Sequence, residues 1–155
     1  MAMDDEDTLD DDHRRPTDTS DQLVAAAGKV SEATEWVERA RGHLFELHQQ
    51  IGHADLLFGE AADALDAAGA TEQAAHLRRE VVGRNLLEGR WTFQIVEEFE
   101  DGYYAAVRAA DARVRDELMA GRRHIFEAEM KQARRTEGHP SHTATPSADL
   151  PPAAR

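Results

Sequence analysis

Residues 23–68 read LVAAAGKVSEATEWVERARGHLFELHQQIGHADLLFGEAADALDAA and carry an apolar residue at every seventh position. This first row is bulky and comprises Leu23, Val30, Val37, Leu44, Ile51, Phe58 and Leu65. A second row, three positions later, is almost entirely alanine and comprises Ala26, Ala33, Ala40, Leu47, Ala54, Ala61 and Ala68. A heptad repeat of this length predicts a long helix that lies along another helix. The alanine row predicts that this neighbour packs closely and comes from the same chain.

The composition of the two ends predicts disordered tails around one helical domain. Residues 1–19 are acidic and poor in apolar side chains, and residues 137–155 are rich in Pro, Ser, Thr and Ala. Residues 20–136 form the predicted helical domain. Its helices are expected over about 21–68, about 72–88 and about 92–135. The run Trp91–Val96 alone has the composition of a strand, but no second strand is available to pair with it, so we expect a helix there.

The short connection Gly69–Thr71 makes the first two helices antiparallel neighbours. In such a hairpin residue i lies near residue 140 − i, which places His43 near Glu97. The third helix then extends past the start of the first, and its apolar residues there need a cover: Met119, Ile125, Phe126 and Met130. Either this segment folds back into a three-helix bundle, or two chains cover each other, and we favour a homodimer. The predicted fold class is all-α, an elongated antiparallel helical hairpin that resembles a coiled coil, or a three-helix bundle, with disordered termini.

The charge and composition exclude several classes of function. The net charge of -13 predicts repulsion from nucleic acid and from anionic membranes. The chain has no cysteine, so disulfides and thiol chemistry are excluded. The acidic N-terminus does not resemble a signal peptide, and no apolar run approaches the roughly 20 residues that span a bilayer. We therefore expect a cytoplasmic protein, and the scarcity of lysine and asparagine is typical of a GC-rich bacterial genome.

Aromatic residues concentrate between positions 91 and 104, among carboxylates. They are Trp91, Phe93, Phe99, Tyr103 and Tyr104. A cluster of this composition is typical of a protein-binding hot spot. The leading hypothesis is a non-enzymatic interaction or scaffold protein that self-associates and binds a protein partner, whose identity the sequence does not supply, through this region.

An alternative hypothesis is a helical bundle that binds a metal ion or a small ligand. The predicted hairpin brings two histidines towards two carboxylates: His43, His48, Glu97 and Glu98. However, the chain has neither Glu-x-x-His nor His-x-x-x-His, the spacings that align two metal ligands on one face of a helix. It also has no nucleophile motif and no phosphate-binding loop, so we predict neither an enzyme nor a cofactor.

Overall fold

A computed structural model describes residues 8–145, and this part of the chain is all-α, which confirms the predicted fold class. Its α-helices are α1 (Asp21–Ala67), α2 (Thr71–Glu80), α3 (Thr92–Phe99), α4 (Ala105–Leu118) and α5 (Ile125–Arg134). A π-helical segment, Glu100–Tyr104, joins α3 to α4. Between residues 8 and 145 no strand forms, and most of the run Trp91–Val96 lies in α3, as expected. The outer parts of the two predicted tails, 1–7 and 146–155, lie outside the described residues.

Local signals set both ends of α1. The Leu23 N–H donates a hydrogen bond to Ser20 Oγ at 3.2 Å, so Ser20 caps the first turn. At the other end Gly69 has a φ of +82°, and the Ala70 N–H donates to the Leu65 carbonyl at 2.8 Å. This is the 6→1 bond of a Schellman motif, in which glycine is favoured because it tolerates a positive φ. The chain reverses here, and α2 follows at once.

The helix α2 is shorter than predicted. The sequence predicts a helix to about residue 88, whereas α2 ends at Glu80. Gly83 has a φ of +72°, and its N–H donates to Asp55 Oδ1 at 2.7 Å. A carboxylate of α1 therefore replaces the carbonyl that a continuing helix would supply. Residues 81–91 form a loop instead, which we call the 81–91 loop.

The predicted third helix, over about 92–135, is interrupted twice. The π-helical segment Glu100–Tyr104 is the first interruption. The second follows Leu118, where Ala120 and Gly121 have φ values of +52° and +76°. Successive residues with positive φ cannot continue a right-handed helix, so α4 ends and α5 starts in a new direction.

The chain divides into two compact units, of which one is Thr34–Arg108. Within it, the guanidinium of Arg41 donates to Glu100 at 2.6 Å, and His48 Nδ1 shares a hydrogen bond of 2.8 Å with Thr92 Oγ1. In both pairs the partner of residue i lies within one residue of position 140 − i. The predicted antiparallel alignment is therefore confirmed in this unit.

The other unit comprises the described residues before position 34 and after position 108. Val24, Met119 and Ile125 form its buried apolar cluster. The sequence offered two ways of covering the C-terminal apolar residues, a fold-back within the chain or a second chain. Met119 and Ile125 are buried by a fold-back within the chain, against Val24. Phe126 and Met130 remain 44% and 49% exposed.

Residues that the sequence assigns to the acidic tail take part in this second unit. The Arg15 guanidinium donates to both carboxylate oxygens of Glu129 in α5, at 2.6 and 2.7 Å, and to Asp21 at 2.7 Å. Glu129, followed by Asp21, raises the pKa of Arg15 above its ordinary value. Bidentate pairs of this kind fix orientation as well as charge, so Arg15 joins the segment before α1 to α5.

The two apolar rows of α1 differ in exposure. The bulky row is half-buried, except that Phe58 is 42% exposed. The buried positions beside it, Val24 and Ala62, lie on the flank away from the alanine row. Most of the alanine row is exposed: Ala26, Ala33, Ala40, Ala61 and Ala68, together with Leu47. The prediction that this row packs on a neighbour from the same chain is therefore wrong, because the chain covers the opposite flank.

Two glycines inside α1 provide a test of the packing of α5. A Cβ added at Gly28 would lie 3.0 Å from Phe126 Cβ, whereas one added at Gly42 would meet nothing within 4 Å. Alanine is favoured over glycine inside a helix by up to about 1 kcal/mol. We expect Gly42→Ala to raise the free energy of unfolding by about 0.5–1 kcal/mol. Gly28→Ala should raise it less or lower it, because Phe126 Cβ can move only together with α5.

Urea denaturation followed by circular dichroism measures both glycine variants. Equal gains in stability would contradict the contact between α1 and α5.

Candidate functional site

The predicted aromatic surface divides into inward-facing and outward-facing side chains. Tyr104 is buried, and its hydroxyl donates to Glu38 Oε1 at 2.5 Å. Phe99 is half-buried and stacks on Tyr104, with ring centroids 6.0 Å apart. The outward-facing members are Trp91, Phe93 and Tyr103, which are 59%, 42% and 62% exposed. Tyr104 therefore belongs to the packing of its unit, and only these three side chains remain accessible to a partner to a large extent.

Arginines neutralise part of the acidic rim around these aromatic residues. Arg41 pairs with Glu100 at 2.6 Å, and this hydrogen bond is the main reason that the pKa of Arg41 is raised. Arg90 pairs with Glu98 at 2.6 Å. Glu97 is exposed beside them. The rim is consequently less acidic than the sequence alone indicates, although it retains carboxylate charge on the solvent side.

The four residues of the alternative metal site are not brought together. His48 forms a hydrogen bond with Thr92, and Glu98 forms an ion pair with Arg90. The side chain of His43 is 81% exposed and lies 3.4 Å from Glu46, its neighbour on the same helix. In the part of the chain that the structure describes, no group of three or more His, Asp or Glu side chains is arranged to hold a metal ion.

An open cavity of about 640 Å³ lies beside Trp91, between α1 and the 81–91 loop. Its apolar walls come from Ile51, Phe58, Val81 and Trp91. Leu86 also lines it. The volume falls within the roughly 300–1,000 Å³ that is typical of pockets for small molecules.

The loop over this cavity carries functional candidates that the sequence reasoning missed. Leu86 and Leu87 are 37% and 56% exposed and precede Trp91 closely. Trp91 and Phe93 pack edge to face, with centroids 5.4 Å apart. The available signal was a group of large apolar residues without helical periodicity between Gly83 and α3. Such a group in a loop indicates a surface that contacts something other than its own core.

Comparisons of the chain with protein-family models, with curated proteins and with solved structures give no match. Function is therefore inferred from the site itself. Among the described helices, none combines the length and the apolar character that crossing a bilayer requires.

The buried Tyr104 gives a prediction about pH. The hydrogen bond to Glu38, and then burial, raise the pKa of Tyr104 above its ordinary value. The unfolded chain loses this proton at about pH 10, whereas the folded chain retains it to higher pH. The stabilisation is therefore complete below about pH 10 and is lost as the pH rises through the folded pKa.

We expect the unfolding free energy of the wild type to fall more steeply between about pH 9 and about pH 11 than that of Tyr104→Phe, which has no proton to lose. Urea denaturation across this range measures the difference. Parallel profiles for the two proteins would contradict the Tyr104–Glu38 contact.

Proposed function

We propose that this chain is a non-enzymatic helical interaction protein that self-associates and binds a protein partner through region 91–104. The partner surface consists of Trp91, Phe93 and Tyr103 together with the adjoining cavity. The observation that supports it best is the exposure of Trp91, which lines the open cavity and packs against the exposed Phe93. Tryptophan and tyrosine that anchor in or beside a pocket are the commonest hot spots of protein interfaces.

The chemistry of this surface favours a partner segment with apolar side chains flanked by lysine or arginine. Trp91 and Phe93 pack edge to face, so together they present one apolar platform. Glu97 is exposed on α3, and the chain as a whole has a net charge of -13. A basic partner would be attracted over a longer range than a neutral one. We place this interaction in the cytoplasm of a bacterium, because the scarcity of lysine and asparagine is typical of a GC-rich bacterial genome.

Peptide display against the immobilised full chain tests the partner surface. We expect the selected peptides to combine apolar anchors with basic residues. The double variant Trp91→Ala/Phe93→Ala should weaken their binding at least about 30-fold, the loss expected when hot-spot aromatics are truncated. Isothermal titration calorimetry with one selected peptide measures the change.

The chain offers a matched control for this experiment. Trp36 is 61% exposed, almost the same as Trp91 at 59%, but it lies outside region 91–104. Trp36→Ala should leave the affinity for the peptide unchanged. Equal losses in both variants, or no loss in Trp91→Ala/Phe93→Ala, would contradict the assignment of the surface.

The cavity also supports a second candidate function, the binding of a small apolar ligand. Ala54 lines the cavity on α1, so Ala54→Leu would narrow it without changing Trp91 or Phe93. If the cavity takes a free ligand, Ala54→Leu abolishes the uptake of an apolar fluorescent dye and spares peptide binding. If it takes an anchor side chain of a partner, the same variant weakens peptide binding.

A further inference from the structure

A second exposed apolar surface runs along α1, on the flank that carries the alanine row. We call it the outer stripe, and it comprises Trp36, Ala40, His43, Leu47, Leu57 and Ala61. Trp36, Leu57 and Leu47 are 61%, 49% and 40% exposed. Gln50 lies in the same row, and the stripe contains no Asp, Glu, Lys or Arg. A helix face that stays in water is normally rich in such residues, so the outer stripe has the composition of a contact surface.

We propose that a second copy of this chain covers the outer stripe, with the two α1 helices antiparallel about a two-fold axis between His48 and Gln49. This inference rests on the self-association in the proposed function and names the surface that performs it. Along the outer stripe, residue i then faces residue 97 − i of the second copy. With Gln50 and the half-buried Ala54 between Leu47 and Leu57, the positions along this flank are spaced alternately four and three apart, which is the spacing of a helix–helix seam.

The sizes of the stripe side chains favour the antiparallel arrangement. In this register Trp36 faces Ala61 of the second copy, and Leu57 faces Ala40 of the second copy. Each large side chain therefore meets a small one, as close packing requires. In a parallel pair in register, Trp36 would face Trp36 of the second copy and Ala61 would face Ala61. The two tryptophans would then clash, whereas the two alanines would leave a cavity between the helices.

The charges that border the outer stripe select the register. Arg39, Glu46, His53 and Glu60 recur every seven residues along one edge of the stripe. These residues lie on one edge of the seam, where the antiparallel pairing brings residue i nearest residue 99 − i of the second copy, two positions from the rule for the stripe itself. In the proposed register Arg39 therefore lies opposite Glu60 of the second copy, and Glu46 lies opposite His53. A shift by one heptad in either direction places Glu46 against Glu46 or against Glu60, and like charges at such positions disfavour the pairing.

The next complementary register is two heptads away and fits less well. There Arg39 would face Glu46 of the second copy, but Trp36 would face Leu47, so that two large side chains share one layer. We therefore assign the register in which Arg39 faces Glu60.

Charge reversal tests this assignment by sedimentation equilibrium of the full chain. We expect a dimer for the wild type and association at least about tenfold weaker for Arg39→Glu, because the two-fold axis introduces the repulsion twice. Arg39→Glu/Glu60→Arg should restore association to within about threefold of the wild type, since opposite charges face each other again. Arg39→Glu/Glu46→Arg has the same composition as this rescue variant and should remain weak.

A cysteine pair tests the register independently, because the chain has no cysteine of its own. Leu47→Cys/Gln50→Cys should form a covalent dimer on oxidation, since these residues face each other across the axis. Ala40→Cys/His43→Cys, which marks the register two heptads away, should not.

Several results would overturn the inference. Rescue by Arg39→Glu/Glu46→Arg, or cross-linking only by Ala40→Cys/His43→Cys, would show a different register. If Arg39→Glu leaves the dimer unchanged, the protein self-associates but not through the outer stripe. A wild type that stays monomeric at all concentrations would remove self-association itself, whereas peptide binding at Trp91 and Phe93 would still be tested separately.

Discussion

The covering of α1 is the constraint on which the other features of this protein depend. A helix of 47 residues is stable in water only if packing covers an apolar face along its length. The chain covers the bulky row and one flank of it, through contacts such as Arg41–Glu100 and the buried cluster around Val24. The opposite flank, with Ala40 and Ala61, stays exposed. The same helix therefore supplies both a core and a free apolar surface.

Much of the fold could be predicted because its signals are local or periodic. The heptad spacing predicts the long helix, and Gly69 marks the reversal because few other residues adopt its φ of +82°. The alignment of residue i with 140 − i was predicted from that turn. It holds beyond the 81–91 loop as well, in the pairs Arg41–Glu100 and His48–Thr92.

The predicted fold differs from the observed one mainly where residues distant in the sequence determine the local structure. α2 ends at Glu80, and the loop that follows is held by Asp55, far away in the sequence, which accepts a hydrogen bond from the Gly83 N–H. The heptad spacing does not predict which flank of α1 the chain covers, because the positions on either side of the bulky row both recur every seven residues. The break after Leu118 depends on positive φ values at Ala120 and Gly121, and of these two residues only the glycine is of a type that indicates such a conformation.

The composition of the sequence predicts where the candidate site lies, but not which of its side chains are buried, which are exposed, or that a cavity adjoins it. Tyr103 and Tyr104 are neighbours in the sequence, yet Tyr104 is buried against Glu38, whereas Tyr103 is exposed. The π-helical segment that contains both has no sequence signature from which its bounds could be predicted. The cavity was missed because its walls come from α1 and from the 81–91 loop, which meet only in the folded chain.

The central claim is that the flank of α1 that carries Ala40 and Ala61 is exposed in the single chain, and we propose that chains associate through it. Single-cysteine labelling tests it most directly, with Ala40→Cys on that flank and Leu44→Cys on the bulky row as the control. In dilute solution Ala40→Cys should react at nearly the rate of the unfolded chain and Leu44→Cys much more slowly. As the protein is concentrated, Ala40→Cys should become protected. Slow labelling of Ala40→Cys in dilute solution, or fast labelling at every concentration, would contradict the account.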